Sequence, residues 1–361
     1  MSEIQENEIQ TCEVPESEVP ETEIQESEVQ ETEIQESEVP ETEIQESEVP
    51  ENEAPENERK PRKLLITGGT NFVSRYTAEY FAATGYEVTV LNRGSREQAE
   101  GVTLIQADRT DLGGALDGLT FDAVLDICGY TEEHVVKLLD ALGDDFKGPY
   151  ILLSSSAVYP EGNPQPFEEN QPTGENYLWG GYGTNKIAAE NALRERMENA
   201  YILRPPYLYG KYESLYREPF IFDCARGDRK RYIPEKEMSL QFFNVRDLCR
   251  FMELILETQP ENKVFNVGNP QTVTVKEWVT LCYEAAGKTP EILRVSDSFP
   301  QRSYFPFHYY DYRLDVSKML ALMPELTPLD EGLKEEYEWY AETDPPMDRK
   351  SYFEYIDNNL A

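Results

Sequence analysis

An apolar run, Leu64-Leu65-Ile66, ends in Thr67-Gly68-Gly69-Thr70 and opens into the helix-like stretch Phe72–Thr84, which closes at Gly85. A strand entering a glycine turn and then a helix is the first unit of an alternating pattern, and the pattern continues. Glu87–Leu91, Val102–Ile105 and Asp122–Ile127 read as strands, Glu132–Leu142 as a helix and Tyr150–Leu153 as the next strand. A helix over Tyr182–Met197, with Ile187, Ala188, Ala189, Ala192 and Leu193 on its apolar side, leads to the strand Tyr201–Leu203. Units of about 25–30 residues that alternate in this way predict an α/β fold with a doubly wound parallel sheet. The core is expected over residues 62–205 and 241–270. Residues 160–180, 206–240 and 285–345 are less regular and rich in Tyr, Phe and Pro; they are expected to form a smaller substrate-binding region, followed by an extension over 346–361.

Ahead of this body the chain repeats in fives, as in Glu21-Thr22-Glu23-Ile24-Gln25. A period of five fits neither the helix nor the strand repeat, so the lone Val or Ile of each unit cannot line one face. Residues 1–58 hold 22 of the 70 acidic side chains and none of the 33 basic ones. Residues 1–60 therefore read as a disordered acidic tail. The group Arg59-Lys60-Pro61-Arg62-Lys63 marks the start of the folded body, where 48 acidic side chains face 33 basic ones. That balance argues against a nucleic-acid partner. Five scattered cysteines and two histidines form no metal-binding spacing and no disulfide framework. No apolar run reaches the roughly 18–20 residues of a membrane span, and the expectation is a cytoplasmic protein with free thiols.

Two groups of residues carry chemistry. In the glycine turn, Gly68, Gly69, Thr70, Asn71 and Phe72 lie where unpaired backbone N–H groups and the positive end of a helix dipole meet an anion such as a dinucleotide phosphate. After the second strand stand Asn92 and Arg93, not the carboxylate that would accept ribose hydroxyls, which favours NADP over NAD. The second group is Tyr182 and Lys186, downstream of Ser154-Ser155-Ser156-Ala157-Val158-Tyr159. Tyr-x-x-x-Lys occurs three times, but Tyr207/Lys211 spans Gly210 and Tyr232/Lys236 spans Pro234, so only Tyr182/Lys186 begins a convincing helix. There residues four apart face each other. An ammonium beside a phenol favours the phenolate, which can exchange a proton with a substrate hydroxyl.

In these motifs the chain resembles the extended and atypical short-chain dehydrogenase/reductase superfamily, in its NAD(P)-dependent epimerase/dehydratase branch, over roughly residues 62–340. The resemblance implies a Rossmann-like sheet. Gly68 matches the first glycine of the family turn, while Asn71 and Ser74 replace the second and third. It selects Ser155 as the catalytic hydroxyl beside Tyr182 and Lys186, with Lys186 also reaching the nicotinamide ribose. Asp108, in the pair Asp108-Arg109, corresponds to the family's adenine-contacting residue. Pro205, within Leu203-Arg204-Pro205-Pro206, corresponds to the segment beside the nicotinamide. Asn244-Val245-Arg246-Asp247-Leu248 and Val264-Phe265-Asn266-Val267-Gly268 are similar to later landmarks. Subunits of the family commonly pair through two helices, so a homodimer is compatible with the resemblance.

Family dehydratases place Asp-Glu directly after the catalytic hydroxyl, whereas this chain has Ser156-Ala157. Epimerisation of a sugar or sugar nucleotide through hydride removal and return is thus the first expectation, with an NADPH-dependent carbonyl reductase second. A non-catalytic NAD(P)-binding regulatory protein is the alternative of another class. Arg217, Arg231 or Arg302 could hold a diphosphate or pair with surface carboxylates.

Overall fold

A computed structural model of the chain describes residues 62–308 and 310–360. The repeat tail, and with it the expectation of disorder, lies outside the described residues.

Strands β1 (Lys63–Thr67), β2 (Glu87–Asn92), β3 (Thr103–Gln106), β4 (Ala123–Asp126), β5 (Tyr150–Leu153) and β6 (Ala200–Arg204) join one sheet. The chain then makes β7 (Tyr207–Tyr209), β8 (Arg231–Pro234) and β9 (Ser239–Asn244) before β10 (Val264–Asn266) returns beside β6. The seven-stranded sheet has the order β10-β6-β5-β4-β1-β2-β3, and every pairing in it is parallel. Helices α1 (Phe72–Ala83), α2 (Glu132–Leu142), α3 (Gly181–Arg196), α4 (Glu218–Arg226) and α5 (Val245–Thr258) follow in chain order. Of these, α1 and α5 pack together and α2 packs with α3.

Alternation within the strands explains the two layers. Leu64 and Ile66 of β1 join the cluster containing Phe81 of α1 and Phe251 of α5, while Leu65 joins Leu138 of α2 and Leu193 of α3. Successive side chains of a strand point to opposite faces, so one strand supplies both cores. Each fully buried Leu, Ile or Phe contributes about 1.5–3 kcal/mol. The expected doubly wound parallel sheet is the fold observed.

The remaining chain builds a third apolar cluster around Trp278, Phe242 and Phe220. Two small sheets lie there. Strand β11 (Thr272–Thr274) pairs antiparallel with β9, which pairs parallel with β7; β12 (Ile292–Val295) pairs with β8. Helices α6 (Val275–Ala285), α7 (Ser317–Leu320), α8 (Leu329–Thr343) and α9 (Tyr352–Asn359) complete the chain. Among the described residues no helix is long and apolar enough to cross a membrane. Cys128, Cys224, Cys249 and Cys282 are free thiols.

In the large sheet the chain runs outward from β1 through β2 to β3, then crosses back to β4 on the other side of β1 and runs outward through β5 and β6. A crevice forms at the carboxyl ends of strands where that reversal occurs. Both motif groups converge on it.

Candidate active site

A cleft of about 710 Å³ runs from the glycine turn, past Ser155, Tyr182 and Lys186, to Arg217, Arg302 and His308. At its start Gly68 and Gly69 have φ of +95° and +93°, backbone that residues with a Cβ rarely adopt. A Cβ on Gly68 would stand 2.7 Å from Cys128 Sγ and 2.8 Å from Ser74 Oγ, and one on Gly69 would stand 2.7 Å from Val90. Both positions therefore require glycine.

The two departures from the family turn are accommodated by the backbone and side chains around them. Asn71 is not left-handed; it is extended (φ −145°), and Phe72 takes the positive φ of 34°. The Asn71 carboxamide does not cap α1 but bridges outward, donating to Ser214 Oγ (3.1 Å) and accepting from Arg96 (3.2 Å). The first-turn N–H groups of α1 thus remain available to an anion. Ser74 is buried and turns its hydroxyl onto the Asn71 carbonyl (2.9 Å), filling the space beside Gly68.

Tyr182 and Lys186 lie one turn apart on α3, which approaches the loop after β5 closely. A Cβ on Gly183 would stand 2.4 Å from the Ala157 carbonyl, so a glycine at this position lets α3 sit against the serine segment. Tyr182 remains 41% exposed, opening onto the cleft. Desolvation pushes its phenol above the ordinary pKa, and the neighbouring Ser155 hydroxyl opposes that shift. Ser155 itself accepts from the Ala157 N–H at 3.1 Å.

Lys186 corrects the expectation of a phenol acidified by its neighbour. Its stem runs inward, and Nζ donates to the carbonyls of Leu153 (2.6 Å) and Gly129 (3.0 Å) beneath the Tyr130 ring, 4.7 Å from its centroid. Burial lowers its pKa to about 8 despite Asp126 and Cys128 nearby. The spacing of four sets where the two side chains start; the carbonyl ends of the strands decide where the ammonium goes.

Other candidates are placed less directly. Asn92 donates to the Gly68 carbonyl (2.6 Å) and so braces the turn, while Arg93 is exposed beyond it. Asp108 is exposed and caps its own turn by accepting from the Thr110 N–H and hydroxyl. Arg109 is held away from the cleft in a two-point pair with buried Asp126 (2.9 and 3.1 Å). Thr70, Asn71, Phe72 and Pro205 line the cleft with Gly68, but Gly69 lies behind it. Arg217 and Arg302 reach the cleft, whereas Arg231 is buried in the third cluster between Phe220 and Phe305.

Two features have no counterpart in the sequence expectations, and a third is expected only as a region. Tyr130 and Cys128, after β4, form cleft wall beside Lys186 and Gly68. Glu190, one turn beyond Lys186, is buried and accepts from Ser154 (2.5 Å) and Arg204. The spacing 182, 186, 190 carried that signal, though a charge on an otherwise apolar helix face reads as solvated. Trp179, His308 and Tyr207 cluster in the cleft; they come from the segments expected to bind substrate, but no local pattern singles them out or joins them.

The geometry has counterparts. The curated relatives include a chloroplast stem-loop binding protein of 41 kDa b from Arabidopsis thaliana, 26% identical over 303 residues that cover 76% of this chain and 78% of the relative. A UDP-glucose 4-epimerase from Corynebacterium glutamicum is 25% identical over 268 residues, 62% of this chain and 80% of the relative. Among solved structures, a dTDP-glucose 4,6-dehydratase from Bacillus anthracis str. Ames in complex with NAD matches the fold with a TM-score of 0.65 at 17% identity, covering 78% of this chain and 97% of that one. A sequence profile of the NAD dependent epimerase/dehydratase family matches residues 64–268, so the chain belongs to that family.

Proposed function

We propose that this protein moves a hydride between a nicotinamide dinucleotide and a secondary alcohol or ketone of a nucleotide sugar, with epimerisation as the outcome. The convergence of Ser155, Tyr182 and Lys186 with the glycine turn on one cleft carries the reading. The turn suits a dinucleotide: two positive-φ glycines leave no room for a Cβ, and the first turn of α1 has no side-chain cap. When bound, the nicotinamide supplies the hydride acceptor. Tyr182, whose phenol is neutral at rest, gives its proton to the substrate oxygen in the reducing direction and recovers it in the other. Ser155 holds that oxygen by a hydrogen bond. Lys186, which lines the cleft and has a pKa of about 8, holds a ribose hydroxyl with the N–H that its two carbonyl partners leave over, and lends or takes a proton near neutrality.

Ser156 and Ala157 supply no acid or base for loss of water, which supports hydride removal and return over dehydration. Arg93 and Arg96, with no carboxylate at the end of β2, favour a 2′-phosphate and hence NADP. Incubating the protein with NAD or NADP and a panel of nucleotide sugars, UDP-glucose included, tests the reading. Appearance of an epimer or of reduced cofactor supports it; dinucleotide binding without turnover of any sugar counts against it.

A second reading, a cofactor-holding protein that binds stem-loop RNA, is favoured by the Arabidopsis relative's name. The excess of 48 acidic over 33 basic side chains in the body opposes it. Salt-dependent binding of a stem-loop RNA would support it.

A further inference from the structure

The cleft that Ser155 lines also carries a polar ring whose nitrogens no described residue engages. His308 stands edge-on to Trp179, with centroids 4.7 Å apart and planes at 67°. The same indole lies 6.5 Å from the Tyr182 ring and 6.3 Å from the Tyr207 ring, so it fixes the imidazole relative to the reacting phenol. The backbone N–H of His308 donates to the Tyr207 hydroxyl at 3.4 Å. Among the described residues neither ring nitrogen has a hydrogen-bond partner, and neither is sealed from the cleft.

The neighbouring cations are otherwise engaged. Arg217 donates to the Leu208 carbonyl (2.6 Å) and pairs with buried Glu213, and Arg302 donates to the Pro306 carbonyl. Burial, with Arg302 and Lys350 nearby, holds the His308 pKa below its ordinary value, so near neutral pH the ring is uncharged. An uncharged imidazole offers one donor and one acceptor, a combination suited to a hydroxyl group. Trp179 next to it presents an apolar face, and the two together suit the edge of a polyhydroxylated ring.

We propose that His308 is a substrate-binding residue that hydrogen-bonds a hydroxyl of the sugar ring presented to Tyr182, and that it selects polyhydroxylated substrates over simple carbonyl compounds. This rests on the nucleotide-sugar reading above. A site built to bond a substrate hydroxyl discriminates strongly against analogues lacking it, because its own polar group is then left unpaired.

The test follows the two histidine rings by NMR in the full chain saturated with dinucleotide, during titration with UDP-glucose and separately with UDP. His134 is an internal reference, since it does not line the cleft and its Nδ1 already accepts from the Tyr130 N–H at 3.3 Å. UDP-glucose is expected to shift the His308 signals and leave those of His134 in place. In calorimetry His308→Ala is expected to weaken UDP-glucose by about tenfold and UDP by less than about twofold, with His308→Asn retaining most of the affinity. If UDP-glucose binds while the His308 signals stay put and His308→Ala binds as tightly as wild type, the assignment of His308 is overturned and the hydride-transfer reading stands. Failure of UDP-glucose to bind at all overturns the assignment of His308 together with the nucleotide-sugar reading beneath it.

Discussion

Arg204 and Glu190 form a buried two-point pair, Nε to Oε1 at 2.9 Å and Nη2 to Oε2 at 2.5 Å. Arg204 ends β6 and Glu190 lies one turn beyond Lys186 on α3, so the pair ties the proton-transfer helix to the sheet. The Ser154 hydroxyl and the Tyr159 hydroxyl complete the network, donating to Glu190 and accepting from Arg204. Burial alone would raise the Glu190 pKa, but the Arg204 hydrogen bonds and charge outweigh it, and the carboxylate stays ionised.

Removing one partner leaves the other charge buried and unpaired. Arg204→Met is expected to destabilise the fold by about 3–5 kcal/mol, and Arg204→Met with Glu190→Leu by clearly less. Chemical denaturation of the two variants checks this; equal losses would show that the pair contributes only through volume.

Gly68→Ala places a methyl against Cys128 and Ser74 on backbone at φ +95°. The expected outcome is a loss of dinucleotide affinity of at least about tenfold, read by calorimetry, along with about 1–2 kcal/mol of stability. Gly85→Ala also sits at positive φ (+89°), yet has open space around it. It shares the strain without the clash, so cofactor affinity should be retained.

The buried ammonium of Lys186 gives a signed pH dependence. Its folded-state pKa, about 8, lies below the ordinary value of 10.5, so between those values the unfolded chain binds the extra proton. Stability from this group therefore rises with pH across that window, by at most about 1.4 kcal/mol per unit, and is lowest below pH 8. Denaturation of wild type and Lys186→Met from pH 7 to 10 should show wild type gaining on the variant as pH rises. A constant gap would mean that the ammonium titrates normally.

Much of the fold was legible because the parallel sheet writes itself as short apolar strands separated by helices. The expected strand Tyr150–Leu153 and the helix Glu132–Leu142 match the observed bounds residue for residue. Gly68, Ser155, Tyr182 and Lys186 were readable as a group, since each sits at a strand end or helix start, and they share one cleft. What local sequence does not carry is the destination of a long side chain. Lys186 turns to backbone carbonyls, Arg109 to Asp126, and Asn71 across to Ser214, each choice made by partners between 17 and 143 residues away along the chain. The aromatic wall of Trp179, Tyr207 and His308 arises from the turn before α3, the start of β7 and a loop near the carboxyl end, and has no period to betray it.

The central claim is that the Tyr182 phenol moves the proton that accompanies hydride transfer. The direct measurement is turnover of dinucleotide and nucleotide sugar by wild type and Tyr182→Phe, with dinucleotide binding measured in both. Equal binding with a rate loss of about 10²–10⁴ in the variant is the predicted result. An unchanged rate in Tyr182→Phe, with wild type active, would contradict it.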